Sequence, residues 1–185
     1  MAYNIDMTMA FIEDTINSEI VYEGPIFKIR KHRVNTVAGE SVRDVLEHNG
    51  GVVMIAKTDD GKILMEKQFR KPLEKVILEL PAGKLEAGED PLEAAKRELA
   101  EETGYRAQSV EYLMTYTPTC GYSNEYLHIY FCKDLVPGEK NLDDTEAIDV
   151  IEYSTEELMS MIMSGEIMDG KTIIGILYAK EKDLL

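Results

Sequence analysis

The segment from Asp90 to Gly104 constrains the fold more than any other part of the sequence, because it carries signals for both ends of a helix. Asp90 is placed to cap the N-terminus, and Pro91 follows at the first helical position, where its missing N–H costs nothing. Glu93 has the spacing of a capping box, and Gly104 fits the left-handed position just beyond the C-terminus. These signals predict a helix over residues 91–103.

Segments with the alternating pattern of β-strands lie on both sides of this helix. They cover residues 20–37, 41–46, 52–55, 62–65, 76–80, 109–116, 125–132 and 148–153. The pair 52–55 and 62–65, joined through Asp59-Asp60-Gly61, predicts a hairpin. Ser154 and Glu157 indicate a second capped helix, and a third is predicted over residues 172–180. The order of these elements along the chain, with strands first, one helix between strands and two helices last, indicates a mixed α+β sandwich.

Composition limits the expected partners. The chain has 35 Asp and Glu against 20 Lys and Arg, a formal charge of −15, and nucleic acids bind mainly through cations that neutralise their phosphates. No apolar stretch approaches the roughly 18 residues that span a bilayer. The first 20 residues lack the Lys or Arg of a secretory signal, and the two cysteines suit reduced thiols. We therefore expect a cytoplasmic protein with neither nucleic acid nor membrane as a partner.

Three carboxylates at the end of the predicted helix are the candidate chemical feature. Glu98, Glu101 and Glu102 fall within about one third of the helix circumference, next to its apolar stripe. Like charges at these spacings destabilise a helix, whereas converging oxygen donors suit a hard divalent cation. The alternative is a solvated acidic face in which Arg97 pairs with Glu93 and Glu101.

The spacing of residues around this helix resembles the Nudix box, G-x5-E-x7-R-E-U-x-E-E-x-G-U, in which U is apolar. The match runs from Gly83 to Tyr105, and every fixed letter is present. Tyr105 places an aromatic side chain where an aliphatic one is more usual. A solvated acidic face does not explain so many fixed positions, so the chain is identified as a member of the Nudix hydrolases.

The resemblance implies an α+β fold, a Nudix-type α/β/α sandwich with a mixed sheet and an N-terminal extension of antiparallel strands. We expect this extension in residues 1–48, with a role in dimerisation, and the hydrolase domain in residues 49–185.

The resemblance also implies a metal site. Mg²⁺, with Mn²⁺ as a substitute, is expected on Glu98, Glu101, Glu102 and the backbone carbonyl of Ala82. Such a metal neutralises a diphosphate, lowers the pKa of a bound water and stabilises the leaving oxygen. Glu101 and Arg97 are expected among the catalytic residues, and Arg97 is expected to hold the carboxylates in position. The number of metal ions stays open.

A general base is expected from the acidic loop of residues 142–148, where Nudix enzymes of this type often place it. Asp144 and Glu146 are the two candidates, because either could deprotonate water when the loop closes. The choice between them stays open, and so does the phosphorus atom attacked.

Other motifs resemble the ADP-ribose pyrophosphatase branch of the family. They are residues 68–70, 79–83, 121–125 and the pair Lys171-Thr172. Enzymes of this branch cut nucleoside diphosphate sugars into a nucleoside monophosphate and a sugar phosphate. They are usually homodimers whose N-terminal strands help to build the partner's site.

Four residues are candidates for substrate contacts. The planar fork of Arg70 suits the diphosphate. Arg43 and Phe27 match, roughly, family residues that flank the base from the other subunit, and Glu125 could accept hydrogen bonds from ribose hydroxyls. The structural alternatives are a surface arginine for Arg70, ordinary core for Phe27 and an edge-strand acid for Glu125.

The sequence departs from the ADP-ribose pyrophosphatase branch at one position, and this departure bears on the choice of substrate. A proline in a Ser-Pro-Gly context is usual beyond the box, whereas Cys120 stands at the aligned position. Related GDP-mannose and broad nucleotide-sugar hydrolases share the scaffold, so these substrates stay as alternatives to ADP-ribose. A non-catalytic nucleotide sensor is a further alternative, although such proteins usually lose box carboxylates that are present here.

Overall fold

A computed structural model describes residues 12–142 and 146–185 of the chain. The chain divides into two compact units. The first comprises the residues up to His48 together with Thr119–Glu125, and the second comprises Asn49–Pro118 together with Tyr126–Leu185. None of the helices in the described residues is long and apolar enough to cross a membrane.

The first unit is built on a three-stranded antiparallel sheet. Its strands, in spatial order, are β1 (Asp14–Glu23), β2 (Lys28–Thr36) and β3 (Gly39–Glu47). Residues 20–37 were expected as one strand, but the chain reverses between β1 and β2, where the Gly24 N–H donates to the Phe27 carbonyl at 3.0 Å. Pro25 in this turn has no N–H for a ladder, which explains the break.

Within the described part of the chain, the second unit contains the remaining strands and the three α-helices. Its strands are β4 (Gly51–Ala56), β5 (Ile63–Arg70), β6 (Lys75–Glu79), β7 (Ala82–Lys84), β8 (Tyr105–Tyr116), β9 (Leu127–Pro137) and β10 (Ile148–Tyr153). Its helices are α1 (Pro91–Thr103), α2 (Thr155–Ser164) and α3 (Gly170–Glu181). One antiparallel sheet has the order β10-β5-β6, and a mixed sheet has the order β7-β4-β9-β8, in which β4 and β9 are parallel.

Helices cover both sides of β4, a strand whose six residues are all buried. Val53 and Ile55 belong to one hydrophobic cluster with residues of α2 and α3, and Val52 and Met54 belong to a second cluster with residues of α1. Successive side chains of a strand point to opposite faces, so the alternation places helices on both faces. The predicted α/β/α sandwich with a mixed sheet is confirmed.

The predicted hairpin between residues 52–55 and 62–65 is wrong. Strand β4 pairs with β7 and β9, whereas β5 pairs with β6 and β10. The two strands share one isolated bridge, between Lys57 and Ile63. Because β4 is buried on both faces, it takes a central position, and the turn between them passes the chain from one sheet to the other.

Helix α1 has the predicted bounds. The Asp90 side chain accepts hydrogen bonds from the N–H groups of Leu92 and Glu93, and Gly104 adopts the left-handed conformation with φ at 76°. Glu93 does not complete a capping box, because its carboxylate pairs with Lys96 at 2.7 Å.

The two later helices begin at capping side chains. Ser154 and Glu157 form the predicted capping box of α2. Helix α3 begins two residues earlier than predicted, because the Asp169 side chain accepts a hydrogen bond from the Thr172 N–H and caps the helix.

Candidate active site

The side chain of Glu98 lies directly over the backbone of Gly83. An ideal Cβ atom built on Gly83 would lie 1.9 Å from Cδ of Glu98, so any other residue would displace this carboxylate. Glycine at this position lets strand β7 and helix α1 approach closely. Burial raises the pKa of Glu98, while Arg97 lowers it and the charges of Glu101 and Glu146 raise it further.

Glu102 is the most buried carboxylate of the helix, with 6% of its surface exposed. Its Oε2 atom accepts a hydrogen bond from the Ala82 N–H at 3.1 Å. Burial raises the pKa of Glu102 to about 9, with the charges of Glu66, Glu98 and Glu146 acting in the same direction. Such a side chain contributes little to the stability of the fold, because burying its ionised form is costly.

Arg97 contacts three of the acidic side chains around the helix. Its Nε and Nη2 atoms bind the two oxygens of Glu89, each at 3.0 Å. Its Nη1 atom lies 2.9 Å from Oε1 of Glu98 and donates to Oε2 of Glu101 at 3.0 Å. Hydrogen bonding to Arg97 lowers the pKa of Glu89. One guanidinium thus fixes the positions of three carboxylates.

Two more acids are buried on the neighbouring strands. Glu66 and Glu79 are directly opposite partners in the antiparallel pair β5 and β6, so their side chains share one face. Their exposed fractions are 2% and 1%. Among the described residues, Oε1 of Glu66 is a buried oxygen without a hydrogen-bond partner. Burial, followed by the charge of Glu79, raises the pKa of Glu66 to about 8.

Arg70, the candidate for the diphosphate, is bound to Glu79. Its Nε and Nη2 atoms donate to the two oxygens of Glu79 at 2.7 and 2.8 Å. Burial lowers the pKa of the guanidinium, but the hydrogen bonds with Glu79 and the charges of Glu79, Asp169 and Glu102 raise it overall. The influence of Glu102 places Arg70 within electrostatic range of the carboxylates of α1.

Of the two candidates for the general base, the structure describes one. Glu146 is exposed, and its charge raises the pKa of both Glu98 and Glu102, so it lies within electrostatic range of them. Asp144 lies outside the described residues. Just before this segment, the Asn141 N–H donates to the Glu101 carbonyl of α1 at 2.9 Å.

Three of the predicted substrate contacts lie in the first unit. The ring of Phe27 packs against Tyr22 with centroids 5.6 Å apart. Arg43 binds Glu13 through Nε at 2.9 Å and Nη2 at 2.5 Å. Oε1 of Glu125 lies 3.4 Å from Nδ1 of His48.

The candidate donors fit a divalent cation chemically. They are the carboxylates at the end of α1 and the Ala82 carbonyl of β7, and oxygen ligands of these kinds are the ones that Mg²⁺ and Mn²⁺ prefer. The raised pKa values of Glu98 and Glu102 show that this site disfavours uncompensated negative charge, which a cation would offset. In residues 12–142 and 146–185, no three His, Cys, Asp or Glu side chains have their donor atoms arranged around one metal position. Arg97 instead engages oxygens of Glu98 and Glu101.

Sequence reasoning assigned no role to Glu66, Glu79 or Lys171. The sequence does hold a signal for the two acids, since each directly follows a run of three apolar residues, Ile63-Leu64-Met65 and Val76-Ile77-Leu78. An acid that continues a buried apolar run indicates a buried, paired charge. Lys171 belongs to a motif of the ADP-ribose pyrophosphatase branch, but its contact with Glu79 has no local signal, because the two residues are 92 positions apart.

Comparison with known proteins agrees with this geometry. The sequence matches the NUDIX domain over residues 47–170. It is 40% identical over 182 residues to a methanol dehydrogenase activator of Bacillus methanolicus, which covers 97% of this chain and 98% of that protein. It is 38% identical over 176 residues to an ADP-ribose pyrophosphatase of Bacillus subtilis (strain 168), covering 94% of this chain and 95% of that protein.

More distant similarities point the same way. A GDP-mannose pyrophosphatase of Yersinia enterocolitica is 31% identical over 188 residues, covering 93% of this chain and 97% of that protein. A crystal structure described as an ADP compounds hydrolase superposes with a TM-score of 0.81, covering 91% of this chain and 92% of that one, at 20% identity. At that identity the similarity shows the fold alone. The match over residues 47–170 and the relatives spanning nearly the whole chain establish that this protein belongs to the NUDIX family.

Proposed function

We propose that this protein hydrolyses the pyrophosphate bond of a nucleoside diphosphate sugar, with ADP-ribose as the preferred substrate. The products are a nucleoside monophosphate and a sugar phosphate. The observation that carries the proposal is the pair of carboxylates, Glu98 and Glu102, held over Gly83 and against the Ala82 N–H. The ADP-ribose pyrophosphatase of Bacillus subtilis, 38% identical over 94% of the chain, supports the choice of substrate.

Glu98, Glu101, Glu102 and the Ala82 carbonyl are the groups that would hold Mg²⁺, with Mn²⁺ as a substitute. When bound, the metal neutralises the diphosphate, lowers the pKa of a bound water and stabilises the leaving oxygen. The chain's own part is to present these oxygens in a fixed arrangement. Gly83 has no side chain to occupy the space of the Glu98 carboxylate, and the Ala82 N–H orients Glu102.

Arg97 acts by orienting carboxylates. Its guanidinium binds Glu89 with two parallel hydrogen bonds and reaches Glu98 and Glu101 with its third nitrogen. Such paired contacts fix direction as well as distance. Glu89 belongs to the same support, because its carboxylate also accepts the Glu86 N–H at 2.9 Å.

Glu146 is the proposed general base, with Asp144 as the alternative. A base must lie near the attacking water and carry negative charge in the working state. Glu146 is exposed and its charge acts on Glu98 and Glu102, which supports its place beside the reacting group.

Arg70 is the proposed contact for the diphosphate, because a guanidinium can bind two phosphate oxygens at once. Phe27 and Arg43 are proposed to flank the base of the substrate in the partner's site. Glu125 is proposed to accept hydrogen bonds from ribose hydroxyls.

A homodimer follows as part of this proposal, with residues 1–48 as the dimerising extension and 49–185 as the hydrolase domain. Every residue of β1 is exposed, including the apolar side chains of Ile16, Ile20 and Tyr22. An exposed apolar edge strand is a surface that a second chain would cover. Sedimentation velocity is expected to give the mass of two chains, and Ile20→Lys is expected to shift the protein towards one chain. A single-chain mass for the unaltered protein would contradict the dimer.

The proposed compartment is the cytoplasm. Cys120 and Cys132 are free thiols, and a reducing compartment keeps thiols in that state.

GDP-mannose is the second candidate substrate. The GDP-mannose pyrophosphatase of Yersinia enterocolitica matches 93% of the chain at 31% identity, and Cys120 departs from the proline usual in the ADP-ribose branch. A nucleotide sensor without activity is disfavoured, because Glu98, Glu101 and Glu102 are all present.

The test is a substrate panel assayed with Mg²⁺ and with Mn²⁺. ADP-ribose, GDP-mannose, NADH and flavin adenine dinucleotide are compared at equal concentration, and products are separated by chromatography. We expect the highest kcat/KM for ADP-ribose, with AMP as a product, and no hydrolysis in the presence of a chelator. Labelling with ¹⁸O-water then identifies the phosphorus that is attacked. If none of these compounds is cleaved, the proposed function is contradicted.

A further inference from the structure

The carboxylate of Glu79 is shared by two cations that come from distant parts of the chain. Arg70 binds both of its oxygens, at 2.7 and 2.8 Å. Lys171 donates through Nζ to Oε2, the oxygen that Nη2 of Arg70 also contacts. Only 1% of the Glu79 side chain is exposed, so water contributes little to its solvation. The position of this carboxylate therefore depends on both cations.

Lys171 is itself held at the start of helix α3. Its Nζ atom lies 3.0 Å from Oδ2 of Asp169, and only 12% of its side chain is exposed. The same Oδ2 accepts hydrogen bonds from the N–H and the hydroxyl of Thr172, at 3.0 and 2.6 Å. The Thr172 hydroxyl oxygen in turn accepts the Leu80 N–H at 2.8 Å. The first turn of α3 thus fixes the side chain of Glu79 and the backbone of the next residue.

This arrangement decides which nitrogen of Arg70 is left for another ligand. Glu79 occupies Nε and Nη2, whereas Nη1 has no hydrogen-bond partner among residues 12–142 and 146–185. The Arg70 side chain is 39% exposed, so a guanidinium that is anchored on one edge still has surface that a ligand can reach. A guanidinium anchored in this way is preorganised for an anion.

We infer that Lys171 is a positioning residue for Arg70, acting through the carboxylate that the two cations share. The inference rests on the proposed function, in which Arg70 binds the diphosphate. Without Lys171, the buried carboxylate of Glu79 would have Arg70 as its only cation. Arg70 would then be held more tightly by Glu79 and would bind the substrate less well. Arg70 contacts the diphosphate as soon as the substrate is bound, before the reaction begins. Weakening that contact therefore raises KM more than it lowers kcat.

The kinetic test compares Lys171→Met with Lys171→Arg. We expect Lys171→Met to raise KM for ADP-ribose roughly tenfold while kcat changes less than about threefold, as for loss of a charge-assisted contact. Lys171→Arg restores a cation and is expected to recover most of the loss. Lys180→Met, an exposed lysine of the same helix, is the matched control and is expected to leave both constants unchanged. An unaltered KM for Lys171→Met would overturn the inference.

A double-mutant cycle shows whether Lys171 acts through Arg70. In an Arg70→Met background, Lys171→Met is expected to change KM by less than about twofold, because the group it positions is gone. A full tenfold effect in that background would mean that Lys171 acts by another route and would overturn the inference. Should Lys171→Met fold poorly, Glu79→Gln/Lys171→Met removes both charges together, and it is expected to raise KM to a similar extent.

A second readout separates this inference from the proposed function. The ¹⁵N resonance of the Arg70 Nε group, assigned by its absence in Arg70→Lys, reports the contact with Glu79 without any substrate. We expect Lys171→Met to shift or broaden it, and Lys171→Arg and Lys180→Met to retain it. An unchanged resonance in Lys171→Met would refute the positioning role even in an active enzyme. A changed resonance in a protein that cleaves no nucleotide sugar would refute the proposed function and leave the coupling intact.

Discussion

The Glu102 carboxylate accepts a hydrogen bond from the Ala82 N–H at 3.1 Å, and this bond joins the end of helix α1 to strand β7. The two residues are 20 positions apart in sequence. The bond places a buried acid beside the backbone segment whose carbonyl is proposed to bind the same cation. The metal site that we propose is therefore assembled by one helix and one short strand, with the Gly83 backbone between them.

Replacing Glu102 with glutamine is expected to lower turnover with Mg²⁺ by more than the roughly 10–100-fold typical of residues that only support a metal site. The amide oxygen of the substituted side chain would still accept the Ala82 N–H, so the thermal midpoint is expected to hold or rise as a buried charge disappears. Steady-state kinetics and thermal denaturation check both parts. Glu111→Gln, an exposed acid of β8, is the control, and full activity of Glu102→Gln would refute the metal role.

Gly83→Ala tests the close approach of β7 to α1. The added Cβ would occupy the place of the Glu98 carboxylate, whose flexible end can move aside, so the fold is expected to survive. The displaced carboxylate is expected to weaken Mn²⁺ binding at least roughly tenfold, as measured by calorimetry.

Gly170→Ala is the matched control for that substitution. A Cβ added at Gly170 would meet no atom within 4 Å, and Gly170 is not among the glycines with positive φ, so alanine there is expected to leave Mn²⁺ binding unchanged. Equal Mn²⁺ affinity for Gly83→Ala and Gly170→Ala would show that the position of Glu98 does not matter for the cation.

The general base is tested by comparing Glu146→Gln with Asp144→Asn. We expect Glu146→Gln to lower kcat about 100-fold or more with little change in KM, because general bases typically contribute factors of about 10²–10⁴. Asp144→Asn is expected to have the smaller effect. Single-turnover rates with saturating Mg²⁺ separate the chemical step from binding. If both variants keep the full rate, the base does not come from this loop.

The raised pKa of Glu66 predicts that metal-free protein becomes less stable as the pH rises, because the folded state disfavours the ionised side chain. Its pKa is raised to about 8 in the folded state, above the ordinary value, so the unfolded chain loses this proton first as the pH rises. Stability should therefore fall between about pH 4.5 and about pH 8. Glu66→Gln removes this cost and is expected to be more stable by on the order of 2 kcal/mol near pH 8, with little difference near pH 5.

Urea denaturation in the presence of a chelator measures this difference. Glu111→Gln is again the control, since its exposed side chain should not change the slope of stability against pH. A constant difference between Glu66→Gln and the unaltered protein at both pH values would contradict the raised pKa.

Local signals in the sequence were sufficient for the helix that carries the carboxylates. Asp90 and Gly104 satisfy backbone groups at the two ends of α1, and the bounds of the helix are those predicted. The same spacing set Glu98, Glu101 and Glu102 on adjoining parts of one face. Such features are predictable because each depends on residues within a few positions of one another.

Strand pairing was not predictable in the same way. Strands β4 and β5 are consecutive, and yet they lie in different sheets, because β4 is buried on both faces and takes its partners, β7 and β9, from much further along the chain. The alternation of residues identifies a strand but does not identify its neighbours. The break at Gly24-Pro25 was missed because apolar residues continue on both sides of it.

By itself, the sequence determined the helix α1, the set of carboxylates on it and the family to which the chain belongs. The tertiary structure alone decided that Glu66 and Glu79 face each other in the interior, and that Arg70 and Lys171 share one carboxylate. The reason is physical. Capping and helical spacing are settled by hydrogen bonds between near neighbours, whereas the partner of a buried charge is chosen by whichever distant strand or helix packs beside it.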